Sequence, residues 1–279
     1  MQLINYIKIL RPLNLLISVI CVILSAFILN ELTQNLIPLI LVVILLGGFS
    51  NIINDIVDYQ IDSENNLHRP IASNAISIQG ALIYAILLFI LACIITWNFN
   101  FFTKILIFYI IIPLIIFYTP IFKKIPFIGN FVVSFVLSMV FIISSTYLLG
   151  EIHHNIIPPV IFSFFLMLIR EIVKDIADLE GDQKFNINTL PVKFGINVTI
   201  LFIYLFACLL FIFSILVYYF YDSYDLFYLI NIILFVHFPL VFYIYQLSKN
   251  KTSIYCIYLS KVLKLITVFG VIVIYLANN

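Results

Sequence analysis

The sequence predicts an all-α integral membrane protein, nine transmembrane helices in a single domain over residues 1–279. Three observations predict it. Hydrophobic residues make up 64% of the chain and charged residues only 10%, where a soluble domain carries about 25% charged residues, so there is too little polar surface to cover the molecule in water. Apolar runs of the length that crosses hydrocarbon, about 20 residues, recur along the chain. Basic residues fall almost entirely between alternate runs.

The first run, 12–30, follows Lys8 and Arg11. It is longer than a signal-peptide core and no A-x-A site follows, so it is read as a retained span. The second, 36–54, stops at the acidic string NDIVDYQID, residues 54–62. Runs three and four, 78–97 and 102–122, lead to the basic pair Lys123–Lys124, and the fifth, 127–149, follows that pair. The sixth, 156–174, stops at a second acidic string, KDIADLEGD, residues 174–182. Runs seven and eight cover 196–219 and 226–246. The ninth, 260–277, opens at Lys261 and Lys264, whose long stems suit an interfacial position. With the N-terminus inside, every one of the 14 Lys and Arg residues except Lys104 falls in an inner loop. This asymmetry places the N-terminus and both acidic strings on the cytoplasmic side and the C-terminus on the opposite side. Four runs separate the two strings, so both lie at one membrane face. The four cysteines (Cys21, Cys93, Cys208 and Cys256) have no metal or redox spacing and are read as packing residues. A net charge of +1 gives no reason to expect a nucleic-acid partner, and nothing indicates an obligate protein partner.

The acidic strings carry the chemistry. Asp55, Asp58 and Asp62 stand at i, i+3 and i+7, within an arc of about 60° on a helix. Asp175, Asp178 and Asp182 repeat that spacing, although the flanking sequence shows little other repetition. Ionisable groups at a membrane edge are functional candidates by default. Six carboxylates facing one cavity require positive compensation. Hard oxygen ligands suit Mg²⁺, which is commonly held by one or two carboxylates plus substrate phosphate oxygens. Two such helix ends would hold Mg²⁺ with a diphosphate between them. Arg69 and Lys174 beside the strings, and Lys123–Lys124 in another inner loop, would steady that diphosphate. Asn54 is read as a cap or as an orienting amide. Arg170 and Glu171 are read as a structural pair or as substrate contacts.

These residues resemble the signatures of the UbiA-type intramembrane prenyltransferases. The resemblance rests on N-D-x-x-D-x-x-x-D at 54–62 followed by Arg69-Pro70-Ile71, and on REIVKDIADLEGD at 170–182 followed by TLPV at 189–192. Arg11-Pro12-Leu13-Asn14 and KKIPFIGN at 123–130 are similar to further stretches of the family. The resemblance implies nine helices around a central cavity open to lipid. It implies Mg²⁺ and diphosphate binding by the six aspartates with Asn54, diphosphate contacts from Arg69, Lys123 and Lys174, and a place for Asn14 in the cavity nearby. The strings are most similar to the ether-lipid branch of the family, which attaches geranylgeranyl to the hydroxyl of geranylgeranylglyceryl phosphate. Asn74 stands where that branch usually has glycine, and Leu67 where it often has proline.

The implied reaction is Mg²⁺-dependent transfer of a polyprenyl group, expected to be geranylgeranyl, from its diphosphate to a lipid acceptor. The alternative acceptor is an aromatic ring, a quinone precursor or a chlorophyllide-like molecule. A cation-coupled transporter is the reading from another class; clustering of the acids at one membrane edge disfavours it. His68 is the histidine nearest the site and is read as structural, leaving no dedicated base in the sequence.

Overall fold

The computed structural model describes residues 2–32, 34–65, 69–185 and 187–277. Among these the structure is helical throughout, without strands. Helix α1 (Gln2–Ile9) precedes α2 (Pro12–Ile28), α3 (Ile37–Val57), the short α4 (Tyr59–Asn65) and α5 (Ile78–Trp97). Then follow α6 (Phe101–Tyr118), α7 (Ile128–Leu149), α8 (Ile157–Ala177), the short α9 (Leu179–Lys184), α10 (Leu190–Phe220), α11 (Leu226–Lys249) and α12 (Ser253–Ala277).

Local chemistry sets the helix ends. Proline opens α2, α3, α8 and α10, where its missing N–H has no helical partner to lose. Side-chain caps open α5, α6 and α11: Ser77 accepts from the Gly80 amide, Asn100 from Thr103 and Asp225 from Tyr228. Gly150 closes α7 with φ 77°, the left-handed stop that glycine adopts without a Cβ clash.

Eight of these helices, α3, α5–α8 and α10–α12, are long and apolar enough to cross a membrane; α2 is apolar but has 17 residues. The chain is thus a multi-pass integral membrane protein. Two expected ends move. Helix α3 runs on to Val57, taking Asp55 into the helix rather than past its end. Helix α12 begins at Ser253, so Lys261 and Lys264 lie inside it rather than at its start. Lys261 is exposed, whereas Lys264 turns inward. Lys264 donates to Asn14 Oδ1 of α2 at 2.7 Å.

Helix α8 is the centre of the bundle, packed against α7, α10 and α12. About two thirds of its apolar stretch is buried, against 17% for α5. Ile83, Leu87 and Ile94 of α5 are bare, which costs nothing against lipid tails and much against water. Within α10 the chain kinks at Gly195, φ 80° and ψ 160°, a region open essentially to glycine alone. The kink separates the Leu190–Phe194 turn from the membrane-crossing part, whose start at 196 agrees with the expected seventh run. A Cβ at Gly195 meets nothing within 4 Å, so substitution tests backbone strain alone. Gly195→Ala is expected to destabilise the protein by about 1–3 kcal/mol, read as a lower thermal midpoint in detergent, while Leu201→Ala at an exposed position of the same helix serves as the reference.

Candidate active site

Both acidic strings have the same backbone. Helix α3 ends at Asp58, φ −80° and ψ 4°, and α8 ends at Asp178, φ −94° and ψ 5°. Hydrogen bonds nonetheless bridge each break. The amide of Asp58 donates to Asn54 O at 2.9 Å and that of Asp62 to Asp58 O at 2.8 Å; the amides of Asp178 and Asp182 donate to Lys174 O and Asp178 O, both at 2.9 Å. The i, i+3, i+7 spacing thus becomes one helical face with a slight bend at its middle aspartate, built twice.

The first triad is buried and ion-paired. Asp55, Asp58 and Asp62 are each less than a tenth exposed. Arg11 donates to Asp55 at 2.5 Å; Arg69 donates to Asp55 at 3.1 Å and to Asp62 at 2.5 Å; Lys123 pairs with Asp58. Each cation is placed by its own local structure. Arg11 sits in the turn between α1 and α2 with φ 54° and ψ 64°, a strained left-handed conformation for a non-glycine residue. Asn51, one turn before Asp55, donates to Leu10 O at 2.9 Å and ties that turn to α3. Arg69 begins a compact turn in which Ser73 donates to Arg69 O and Ala75 to Pro70 O. The turn closes at Asn74, φ 57°, a left-handed position that asparagine can adopt besides glycine. Lys123 lies in the Phe122–Lys124 turn, and Gly129 packs beneath it: a Cβ there would stand 3.2 Å from Lys123 Cα and Phe122 O.

The second triad is more open and is held by neutral donors. Asn130 donates to Asp175 Oδ2 at 2.9 Å, and the Thr189 hydroxyl donates to Asp182 Oδ2 at 3.1 Å. The two triads share one electrostatic field. Lys123, paired with Asp58, also attracts Asp178 and Asp182, while Asp58 and Asp182 repel each other. Burial pushes the Asp62 carboxyl up to about 6 against the opposing pull of Arg69, with Asp58 and Asp55 adding repulsion. Burial likewise raises Asp182 to about 6, against the Thr189 hydrogen bond.

Of the residues expected from sequence, Asn54 lines the cavity below the triads, and Arg69 and Lys123 bind the first triad. Lys174 instead donates to Glu171 Oε2 at 2.7 Å, and Asn14 accepts from Lys264 at 2.7 Å. Arg170 donates to Glu171 at 2.5 Å, so the structural pairing of these two is present. Leu67 and His68 lie outside the described residues. Arg11, Asn130, Thr189, Glu171 and Lys264 are additions that the acidic strings alone do not assign to the site. Arg11, Asn130 and Thr189 did carry a signal, since they belong to RPLN, KKIPFIGN and TLPV; Lys264 carried none.

A cavity of about 330 Å³ opens beside the triads. Its mouth is polar, with Arg11, Asn54 and Tyr118; its depth is apolar and follows α7 from Val132 to Ile143, about 17 Å of helix. The hard oxygen donors of the triads fit Mg²⁺. Among the described residues no three acidic or histidine side chains converge into a closed metal cage, and Mg²⁺ does not need one, because it takes one or two carboxylates and completes its shell with phosphate oxygens and water.

Comparison with known proteins shows what the chain is similar to. The model of the UbiA prenyltransferase family matches residues 15–276. The digeranylgeranylglyceryl phosphate synthase of Methanosphaera stadtmanae is 34% identical over 229 residues, 82% of this chain and 83% of that protein. The synthase of the same name from Methanobrevibacter smithii is 36% identical over 197 residues, 68% and 69% of the two chains. A solved structure described as giving insight into digeranylgeranylglyceryl phosphate synthase in membranes aligns over 99% of this chain and 98% of its own, with TM-score 0.78 and 26% identity. A UbiA homologue from Archaeoglobus fulgidus solved with GPP and Mg²⁺ shares the fold, TM-score 0.69 at 18% identity over 97% and 99% of the chains.

Carboxylates must lose their protons to bind a metal. Since Asp62 and Asp182 titrate near 6, acid is expected to weaken Mg²⁺ binding, on the order of ten-fold between pH 7.5 and 5.5 if both ligate. Calorimetric titration of Mg²⁺ into the detergent-solubilised protein at the two pH values checks this.

Proposed function

The chain belongs to the UbiA prenyltransferase family, and on that premise we propose that it transfers a geranylgeranyl group from its diphosphate to the free hydroxyl of geranylgeranylglyceryl phosphate, forming an ether lipid. That it is a prenyltransferase follows from the family; the donor length and acceptor are the proposal. The observation that carries it is the pair of matched aspartate triads beside one largely apolar cavity, whose lining includes Asn54 and Lys174, each the chain neighbour of a triad aspartate. Polar ligands for a diphosphate and an apolar sleeve for an isoprenoid tail lie end to end. The names of the relatives favour the glyceryl phosphate acceptor over an aromatic ring.

In the proposed reaction, Asp55, Asp58 and Asp62, and Asp175, Asp178 and Asp182, hold Mg²⁺ from two sides, with Asn54 beside them. When bound, the metal neutralises the diphosphate and stabilises it as a leaving group. Arg69 and Lys123 turn from their aspartates toward the phosphate oxygens, and Lys174 approaches them from α8. These fixed cations stabilise the negative charge that grows on the bridging oxygen as the allylic C–O bond breaks. The diphosphate leaves with the bonding electrons. The acceptor hydroxyl oxygen then attacks the allylic carbon, and its proton passes to the departing diphosphate as the ether bond forms. The apolar wall from Val132 to Ile143 seats the tail and keeps water from the cation. Nine spans, counting α2, with the N-terminus and triads cytoplasmic and the C-terminus opposite, complete the proposal. Seventeen residues reach the lower limit for a span, and the distribution of basic residues sets the orientation.

Asp55→Ala and Asp175→Ala are each expected to abolish transfer while membrane insertion persists; the thermal midpoint is expected to hold for Asp175→Ala and to fall for Asp55→Ala, which takes a partner from Arg11 and Arg69. The assay is radiolabelled geranylgeranyl diphosphate with Mg²⁺ and each acceptor class, followed by identification of the lipid product. Full wild-type activity after chelation of all divalent ions would sink the metal-bridged mechanism.

A further inference from the structure

One wall of the cavity carries a charged group that the mechanism above leaves largely unused. Arg170 and Glu171 of α8, Lys264 of α12 and Asn14 of α2 all line it. Glu171 is buried and gripped on both sides: Arg170 donates to Oε1 at 2.5 Å and Lys174 to Oε2 at 2.7 Å. Arg170 is anchored further by Nε, which donates to Ser260 O of α12 at 3.3 Å. Lys264 Nζ donates to a neutral amide oxygen, Asn14 Oδ1, at 2.7 Å. Arg170, Lys174 and Arg11 repel the Lys264 charge and Glu171 attracts it, so these side chains share one patch. Arg170 thus bonds to Glu171 and Ser260, and Lys264 to Asn14, rather than to either aspartate triad.

The charges in this patch do not balance. With Lys174 given to the diphosphate and also drawn to Asp175 and Asp178, Arg170 and Lys264 stand against the single carboxylate of Glu171, a surplus of one positive charge inside helices that cross an apolar layer. Charges there persist where they are paired or functional, and an unpaired one costs heavily. An anion bound against Arg170 and Lys264 removes the surplus.

We infer that Arg170, Lys264 and Asn14, braced by Glu171, form a second anion subsite that takes the phosphate monoester of the prenyl acceptor, separate from the diphosphate site between the triads. The inference rests on the proposed function. Among the acceptor classes, a prenylated glycerol phosphate carries a headgroup of about −1.5 to −2 charge at neutral pH, whereas an aromatic carboxylate carries a single charge. The guanidinium of Arg170, fixed through Nε and Nη1 by Ser260 and Glu171, turns its remaining N–H donors to a phosphate oxygen, and Lys264 supplies a point charge from the neighbouring helix. Asn14 accepts from Lys264 and fixes its direction. A headgroup held here keeps the acceptor in the same cavity as the donor tail while leaving the triads to the diphosphate.

The test separates donor from acceptor. Purified protein with Mg²⁺ and labelled geranylgeranyl diphosphate is titrated with geranylgeranylglyceryl phosphate and with the same lipid lacking its phosphate. The wild type is expected to favour the phosphorylated acceptor by about a hundred-fold in kcat/KM. Lys264→Met and Arg170→Gln are expected to raise the acceptor KM about ten-fold or more and to narrow that preference by a similar factor, while the donor KM moves little. Lys264→Arg is expected to restore most of the preference. Equilibrium binding of the phosphorylated acceptor in the absence of donor should rank the proteins in the same order. Thermal midpoints in detergent report folding, and if Arg170→Gln does not fold, Lys264→Met and Asn14→Ala carry the comparison. Ether product from the wild type, with the variants raising the donor KM instead or keeping the full preference for phosphate, overturns the inference but leaves the function standing. Transfer to an aromatic acceptor with no ether product overturns both.

Discussion

Three carboxylates buried at the end of α3 are tolerable because three cations from three separate segments reach them. Arg11 comes from the turn before α2, Arg69 from the loop before α5 and Lys123 from the turn before α7. Without those partners the desolvation of Asp55, Asp58 and Asp62 would not be offset, since removing one member of a buried pair leaves an uncompensated charge. The same three contacts draw the ends of α2, α3, α5 and α7 to one point. The neutralisation of the first triad and the gathering of the helices around the cavity mouth are one physical event. The strained backbone at Arg11 is consistent with this: its cost of about 1–3 kcal/mol is borne where the surroundings hold the residue in place.

The two triads share a backbone but not an environment. Each consists of a membrane helix that bends at its middle aspartate while its hydrogen bonds carry on into a short second helix. Around that repeated frame the partners differ: cations along α3 and α4, an amide on α8 and a hydroxyl on α9. The first side therefore comes already compensated by bonded cations, whereas the second is bonded by an amide and a hydroxyl. A dication bound near the second triad and an anion bound near the cations of the first would each find the complementary field in place. Lys123, which acts on both triads, marks where those fields meet.

The bundle also sorts polarity by depth. Polar groups line the cavity mouth, and branched aliphatic side chains line the remainder along α7. Helix α8 joins these regions, since it carries Asp175 at one end, the Arg170–Glu171–Lys174 group a turn deeper, and Ser163 and Met167 beyond that. It is also the most enclosed helix. A helix that contributes to every part of the cavity has to be held from several sides, and packing by α7, α10 and α12 does this.

The sequence alone determined that the chain crosses a membrane many times and where most spans lie, because hydrocarbon accepts only long apolar segments whose backbone bonds are satisfied internally. It also determined that two identical acidic clusters lie at one end of the bundle, because an even number of crossings and a spacing set by the helical turn leave no other placement. Tertiary structure alone decided which side chains answer those clusters. Arg11 and Asn130 are 44 and 45 residues from Asp55 and Asp175 along the chain, and only packing brings them within reach. Thr189 is just seven residues from Asp182, yet the pairing depends on how the chain turns between α9 and α10. Lys264 shows the limit most clearly. A lysine near one end of an apolar run reads as an interfacial residue. It became part of the cavity wall because α12 starts at Ser253 and lays that face against α8 and α2, and helix rotation depends on neighbours that local sequence does not encode.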